Sequence, residues 1–168
     1  MKAKINMIII YGLLIGMMSF LVYSHFKKAK IVYVDNVEVF SSFKMKAELE
    51  KKYKEVEGIR KSILDSIYNE IRIKIGSSAS ENKDLLNEMK RSYLIKKESF
   101  EKENNATMTE YNEQIWNQIN EYTKKFGEEN DYEFILGANG QGVLMYAKGT
   151  KNVTKELVEY VNAKYNGK

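Results

Sequence analysis

The sequence predicts an α+β protein: a long antiparallel helical hairpin, or coiled-coil arm, on a small antiparallel β-base, completed by a C-terminal helix. Three observations lead to this fold class. Proline is absent from all 168 residues, so long helices can run without a forced end. Two long segments have apolar residues at helical spacing and are separated by a short run of turn residues. Runs of β-branched and aromatic residues, which favour strands, stand before and after this helical region.

An uncharged apolar segment at residues 5–23 precedes the body. As a helix, its 19 residues would extend about 30 Å and just cross the hydrocarbon core of a bilayer. A retained membrane anchor and a cleaved signal peptide both stay open, because both have a basic start. The length of the apolar core favours the anchor, and lysines at both ends leave its orientation undecided. We therefore expect residues 1–30 to be an N-terminal membrane anchor or signal segment, followed by the body, residues 31–168.

The body divides into a base, residues 31–36 and 131–168, and a helical arm, residues 37–130. The base begins with a predicted strand, Ile-Val-Tyr-Val-Asp, whose residue types favour an extended backbone. Asp35 ends this strand and is placed to cap the first helix of the arm. The sequence thus predicts that strand and arm meet at a helix cap.

The arm is predicted as two helices of about forty residues, roughly 60 Å long, joined by turn residues at 76–82. The apolar stripe of the first helix consists of Leu49, Tyr53, Val56, Ile63, Ile67, Ile71 and Ile75, with Arg60 at a missing step. That of the second consists of Leu86, Met89, Tyr93, Phe100, Met108, Tyr111, Ile115, Ile119, Tyr122 and Phe126. The isoleucines at 59, 63, 67, 71 and 75 are spaced by four, so their row drifts around the helix. Such a thin seam, polar in its middle, cannot bury a large core by itself.

Two more strands are predicted after the arm, at residues 132–136 and 143–147. The glycine-rich stretch between them is interpreted as a hairpin turn, because it lacks the Lys-Ser/Thr pair of a phosphate-binding loop. Thr154 is predicted to cap a final amphipathic helix. Three short strands with much apolar surface favour assembly with further copies of the chain.

Composition excludes several classes of function. Cysteine is absent, which removes disulfides and thiolate chemistry, and the single histidine, His25, lies beside the apolar segment. No nucleophile–base pair or metal-ligand cluster is visible, so we expect neither an enzyme nor a cofactor. Residues 1–30 hold five lysines and no acid, while the rest has 22 basic and 23 acidic residues. The basic isoelectric point therefore belongs to the leader and gives no support for nucleic-acid binding.

Both ends of the body are similar to the Skp/OmpH-like family of periplasmic chaperones, over about residues 31–162. At the start, the resemblance is carried by Ile31-Val32-Tyr33-Val34-Asp35, Val39-Phe40 and Phe43-Lys44. Near the end, it is carried by Tyr132-Glu133-Phe134-Ile135-Leu136, Gly140, Val143-Leu144-Met145-Tyr146 and Val153-Thr154-Lys155-Glu156-Leu157. The resemblance implies a trimer whose strands form a shared β-barrel, with three arms around a cavity that holds unfolded outer-membrane proteins without ATP. This sequence departs from that family in two respects: its body is nearly neutral in charge, and its leader looks uncleaved.

Three sets of residues are candidates for function. The predicted oligomer interface consists of Val32, Val34, Phe40, Phe134, Leu136, Val143 and Met145. The predicted client contacts are Tyr68, Tyr93 and Phe100, which alternatively fill the seam between the arm helices. The predicted basic arm tip consists of Arg72, Lys74, Lys83, Lys90 and Arg91. Residues 60–97 carry a net charge of +4 and residues 98–133 a net −7, so the tip is suited to acidic clients or anionic lipids, or is simply a solvated charged face.

Two functions remain at this stage. The first is a holdase chaperone of the periplasm, which residues 5–23 would tether to the inner membrane if they are retained, with unfolded outer-membrane proteins and copies of itself as partners. The second is a membrane-anchored coiled-coil scaffold or spacer, which reaches from the membrane to a folded partner. Affinity for unfolded chains distinguishes the two.

Overall fold

The structure is a computed structural model that describes residues 2–26, 29–77, 83–140, 142 and 144–167, with side chains of the first helix described at residues 7 and 10–22. It is mostly helical, with one small sheet and two long helices. The elements in chain order are α1 (Lys2–Phe26), β1 (Ile31–Asp35), α2 (Asn36–Ser42), α3 (Lys44–Ser77), α4 (Lys83–Glu129), β2 (Phe134–Ala138), a short 3₁₀ turn (Gly149–Lys151) and α5 (Thr154–Tyr165).

The apolar leader forms helix α1, and its described side chains are exposed. Among the residues that the structure describes, no helix has the length and apolarity needed to cross a membrane. Residues 5, 6, 8, 9 and 23 of the predicted segment lie outside the described side chains. Tethering through residues 5–23 stays a prediction of the sequence.

The two strands of the base run parallel, so the predicted antiparallel pairing is wrong. They pair in register from Ile31 opposite Phe134 to Asp35 opposite Ala138. A tight turn would force antiparallel strands, but the whole arm lies between β1 and β2, and a long crossover connection allows parallel pairing.

The predicted third strand is also absent from the described part of residues 143–147. Leu144–Ala147 are irregular, and Val143 lies outside the described residues. Two glycines with positive φ, Gly140 at 72° and Gly142 at 100°, turn the chain away after β2. The sheet instead gains a single parallel bridge between Tyr33 and Asn152, on β1.

The core lies in the base, where β1 is covered by helices from both ends of the chain. The buried apolar residues of this core are Val32, Val34, Val39, Phe43, Ile115, Ile119, Phe126, Val153, Leu157 and Val161. Leu157 and Val161 of α5 are fully buried, and each such side chain contributes roughly 1.5–3 kcal/mol by leaving water. This core supplies the stability that the thin arm seam lacks.

Helix caps connect the base to the arm. Asp35 caps α2 as predicted: its Oδ1 accepts hydrogen bonds from the N–H groups of Val37 at 2.8 Å and Glu38 at 3.1 Å. Thr154 is not the cap of α5, because its hydroxyl instead accepts a hydrogen bond from the Asp35 N–H at 2.9 Å. The N-cap position of α5 is Val153, which makes no side-chain cap hydrogen bond, while the Asn152 side chain accepts a hydrogen bond from the Thr154 N–H at 2.9 Å.

The predicted hairpin is confirmed by α3 and α4, which pack against each other along the arm. The first arm helix differs in one respect: it is broken at Phe43 into α2 and α3. Asn162 of α5 accepts a hydrogen bond from the Lys44 N–H at 2.8 Å and donates one to the Ser42 carbonyl at 3.0 Å. The break leaves these backbone groups without helical partners, and the Asn162 amide satisfies both.

Candidate functional site

The aromatic residues predicted as client contacts lie in the seam between α3 and α4. The rings of Tyr68 and Tyr93 face each other across the hairpin with centroids 6.2 Å apart. Tyr93 and Phe100 are half-buried, whereas Tyr68 is 56% exposed. These residues therefore hold the two helices together, and contact with clients stays a prediction for them.

A polar cluster occupies the middle of the arm seam. The Arg60 guanidinium forms an ion pair with the Glu103 carboxylate at 2.6 Å and donates a hydrogen bond to the Asn104 side chain. The same guanidinium lies over the Phe100 ring, 5.6 Å from its centroid. The side chain of Arg60 is only 19% exposed, so this charge is largely removed from water but fully paired. We call Arg60, Glu103, Asn104 and Phe100 the arm cluster.

The drift of the isoleucine row explains which arm residues face solvent. Four residues advance a helix by 400°, or 40° beyond a full turn. The exposed fraction accordingly falls from 63% at Ile59 to 37% at Ile63 and 5% at Ile71, and then rises to 50% at Ile75. The row crosses the seam at Ile71, so its first members lie on one side of the seam and face solvent.

Two residues of this row and one valine before it form an exposed apolar strip on α3, which we call the α3 apolar face. It consists of Val56, Ile59 and Ile63, spaced by three and four so that their side chains lie along one face of the helix. Further exposed apolar side chains of the arm are Ile73, Leu94 and Ile95. The sequence interpretation missed this surface by placing Val56 and Ile63 in the seam, although the spacing by four was the signal that could have revealed it.

The predicted oligomer interface divides into two faces of the sheet. Phe134 and Leu136 are 56% and 41% exposed on the outer face, whereas Val32 and Val34 lie in the core of the same chain. Helices α4 and α5 cover the inner face, so Val32 and Val34 are buried within their own chain and their place in an oligomer interface stays a prediction. Alternating residues of a strand point to opposite faces, so the four residues cannot share one surface.

The other predicted interface residues differ in exposure. Phe40 is half-buried and its ring stacks on Trp116 with centroids 5.1 Å apart. Met145 is 85% exposed, and its neighbour Tyr146, which was not predicted, is 81% exposed. Val143 lies outside the described residues. The outer face of the sheet and the Met145–Tyr146 segment are thus the apolar surfaces that the base leaves in solvent.

The basic arm tip is exposed on both helices. Arg72 and Lys74 lie near the end of α3, and Lys83, Lys90 and Arg91 lie at the start of α4; all are exposed. The turn between them, residues 78–82, lies outside the described residues. The positive charge therefore faces solvent at the end of the arm farthest from the base, where it attracts anionic groups.

Among the described residues, the groups with shifted pKa values lie in the base and in the adjoining end of the arm. The Tyr160 hydroxyl donates a hydrogen bond to Glu129 at 2.8 Å, and burial together with this carboxylate raises the pKa of Tyr160 to about 12. The same hydrogen bond lowers the pKa of Glu129, with help from Lys164 at 3.4 Å. These groups attach α5 to α4. In the described ranges, no three His, Cys, Asp or Glu residues stand close enough to hold a metal ion.

Comparison with known proteins identifies the family. Residues 30–161 match the family described as Outer membrane protein (OmpH-like). The chain is also similar in fold to a crystal structure from Caulobacter crescentus described as a candidate OmpH-like outer membrane chaperone, with a TM-score of 0.51 at 14% sequence identity. That similarity covers 82% of this chain and 86% of the other. No curated protein matches the sequence.

Proposed function

The chain belongs to the OmpH-like family, and from this premise we propose that it is an ATP-independent holdase chaperone of the bacterial envelope that binds unfolded outer-membrane proteins. A holdase needs apolar surface that stays in solvent without collapsing onto its own core. The observation that carries the proposal is the α3 apolar face, which the rigid hairpin holds away from the base. Unfolded clients expose apolar side chains over their whole length, so many weak contacts along the arm would add up to firm but reversible binding.

The proposal includes assembly into a homotrimer in the periplasm. It is supported by the outer face of the sheet, where Phe134 and Leu136 leave apolar area in water. In the described residues, β2 pairs only with β1, so its other edge has backbone groups available to a strand of a second copy. Arms from several copies would then enclose a common space, with the basic tips at its opening. Tethering through residues 5–23 would place this assembly at the inner membrane.

The experiment dilutes a urea-unfolded porin into buffer with a few-fold molar excess of the full-length protein and follows aggregation by light scattering. We expect the wild type to suppress aggregation. The triple variant Val56→Ser, Ile59→Ser and Ile63→Ser should lose most of this suppression, because it removes apolar contact area without touching the core. A matched triple variant, Lys51→Ser, Lys52→Ser and Glu55→Ser, changes three exposed polar residues of the same helix and should retain it.

Failure of the wild type to suppress aggregation would reject the holdase function. Retention of full suppression by the apolar triple variant would reject the α3 apolar face as the binding surface. If the protein instead captured folded partners and showed no affinity for unfolded porin, the scaffold or spacer function would replace the proposal.

A further inference from the structure

A groove lined by residues of both α3 and α4 lies at the middle of the arm, and we propose that it binds an acidic client segment that carries an aromatic side chain. The groove has a volume of about 430 Å³ and lies around Gly58, with Leu64 and Phe100 among its apolar lining. This inference rests on the proposed holdase function and names one subsite within it. We call it the Gly58 groove.

Gly58 leaves one position of the groove lining without a side chain. No atom lies within 4 Å of the position that a Cβ of Gly58 would occupy, so the space beside the helix is open. Glycine in a helix interior costs about 0.5–1 kcal/mol relative to alanine, and here no close packing compensates for it. Gly58 lines the groove together with Leu64 and the half-buried Phe100.

The charge of the groove decides what it accepts. Four cations line it, Lys54, Arg60, Lys61 and Lys97, against the two acids Glu57 and Glu101. Arg60 is already paired in the arm cluster, and Lys97 has only a long, exposed contact of 3.8 Å with Glu101. Among the described residues, neither Lys54 nor Lys61 forms an ion pair. The rim therefore has positive charge that its own chain does not neutralise.

The Phe100 ring adds to the preference of the groove for acidic over basic ligands. Two cations already lie near it, the Arg60 guanidinium at 5.6 Å and the Lys96 ammonium at 5.8 Å from the centroid. A third cation from a ligand would be repelled by both, whereas an aromatic ring can pack on the exposed part of the groove lining. A carboxylate beside that ring would reach Lys54 or Lys61. Acidic segments with aromatic residues are thus preferred over basic ones.

The test measures binding of two fluorescent peptides to the full-length protein by anisotropy. One peptide alternates aspartate with tyrosine, and the other has lysine in place of aspartate. We expect the acidic peptide to bind at least tenfold more tightly than the basic one. Gly58→Gln, which fills the groove with a helix-favouring side chain, should weaken the acidic peptide about tenfold. Gly76→Gln is the matched control, because Gly76 is also helical with open space around it, and it should change binding less than twofold.

A second variant, Lys54→Gln with Lys61→Gln, should also weaken the acidic peptide and reduce the salt dependence of its binding. It keeps the test valid if Gly58→Gln fails to fold, which circular dichroism would show. Unchanged peptide binding in a folded Gly58→Gln variant, or in the double lysine variant, would overturn the Gly58 groove as a binding site. If these variants still suppress porin aggregation, the protein is a holdase that does not need the Gly58 groove. If the wild type fails to suppress porin aggregation but still prefers the acidic peptide, only the holdase function is rejected.

Discussion

Replacing Arg60 by alanine tests whether the arm cluster holds the outer half of the hairpin together. The substitution removes an ion pair to Glu103, a hydrogen bond to Asn104 and a cation–π contact with Phe100. A hydrogen bond to a charged group contributes about 1.5–3 kcal/mol and an exposed cation–π contact about 0.5–1 kcal/mol. Glu103 is half exposed, so water recovers part of the loss. We expect a net cost of about 2 kcal/mol to the local stability of the arm.

The assay is native-state hydrogen exchange of the full-length protein. A cost of about 2 kcal/mol corresponds to roughly thirtyfold faster exchange for amides protected by local opening. We expect this acceleration beyond the cluster, in residues 61–77 and 83–102, and no change in the base. Arg60→Met keeps the apolar stem over Phe100 and should accelerate exchange less. Unchanged exchange in the arm, or equal acceleration in arm and base, would refute the reasoning, because the cluster would then hold nothing locally.

Two other predictions concern the base. The folded-state pKa of Tyr160 is raised to about 12 from an ordinary value of 10.0, so the stability that this residue contributes is complete below pH 10 and is lost as pH rises towards 12. Urea unfolding should show this loss of stability for the wild type and a smaller loss for Glu129→Gln. Equal pH dependence of the two proteins would contradict the prediction. The double variant Phe134→Glu and Leu136→Glu should sediment as a folded monomer, because charges on the outer face of the sheet oppose its burial; a trimer of unchanged mass would show that assembly uses another surface.

The helical elements follow from the sequence because their determinants are local. Apolar spacing and the lack of proline predict the long helices α3 and α4, and Asp35 stands where a cap is needed. The break at Phe43 was not predictable in this way, since its backbone groups are satisfied by Asn162, which is more than a hundred residues away. Local signals also placed a cap at Thr154, but its hydroxyl is engaged by the Asp35 backbone of a distant strand.

The candidate site, too, depends partly on local signals in the sequence and partly on distant contacts. The row of isoleucines contained the information that α3 exposes Ile59 and Ile63, because drift by 40° per four residues is a property of the helix alone. The position of the seam, at Ile71, depends on how α4 packs against α3. The Gly58 groove likewise needs both helices, since Phe100 comes from α4.

What the sequence determined by itself is the two long helices of the arm, the final helix, the first strand and the cap at Asp35. These depend on hydrogen bonds and side-chain spacing within a few residues. The tertiary structure alone decided that β1 and β2 are parallel and that α5 covers Val32 and Val34, which makes them core residues. Those outcomes depend on contacts between segments about a hundred residues apart, whose geometry no local pattern contains.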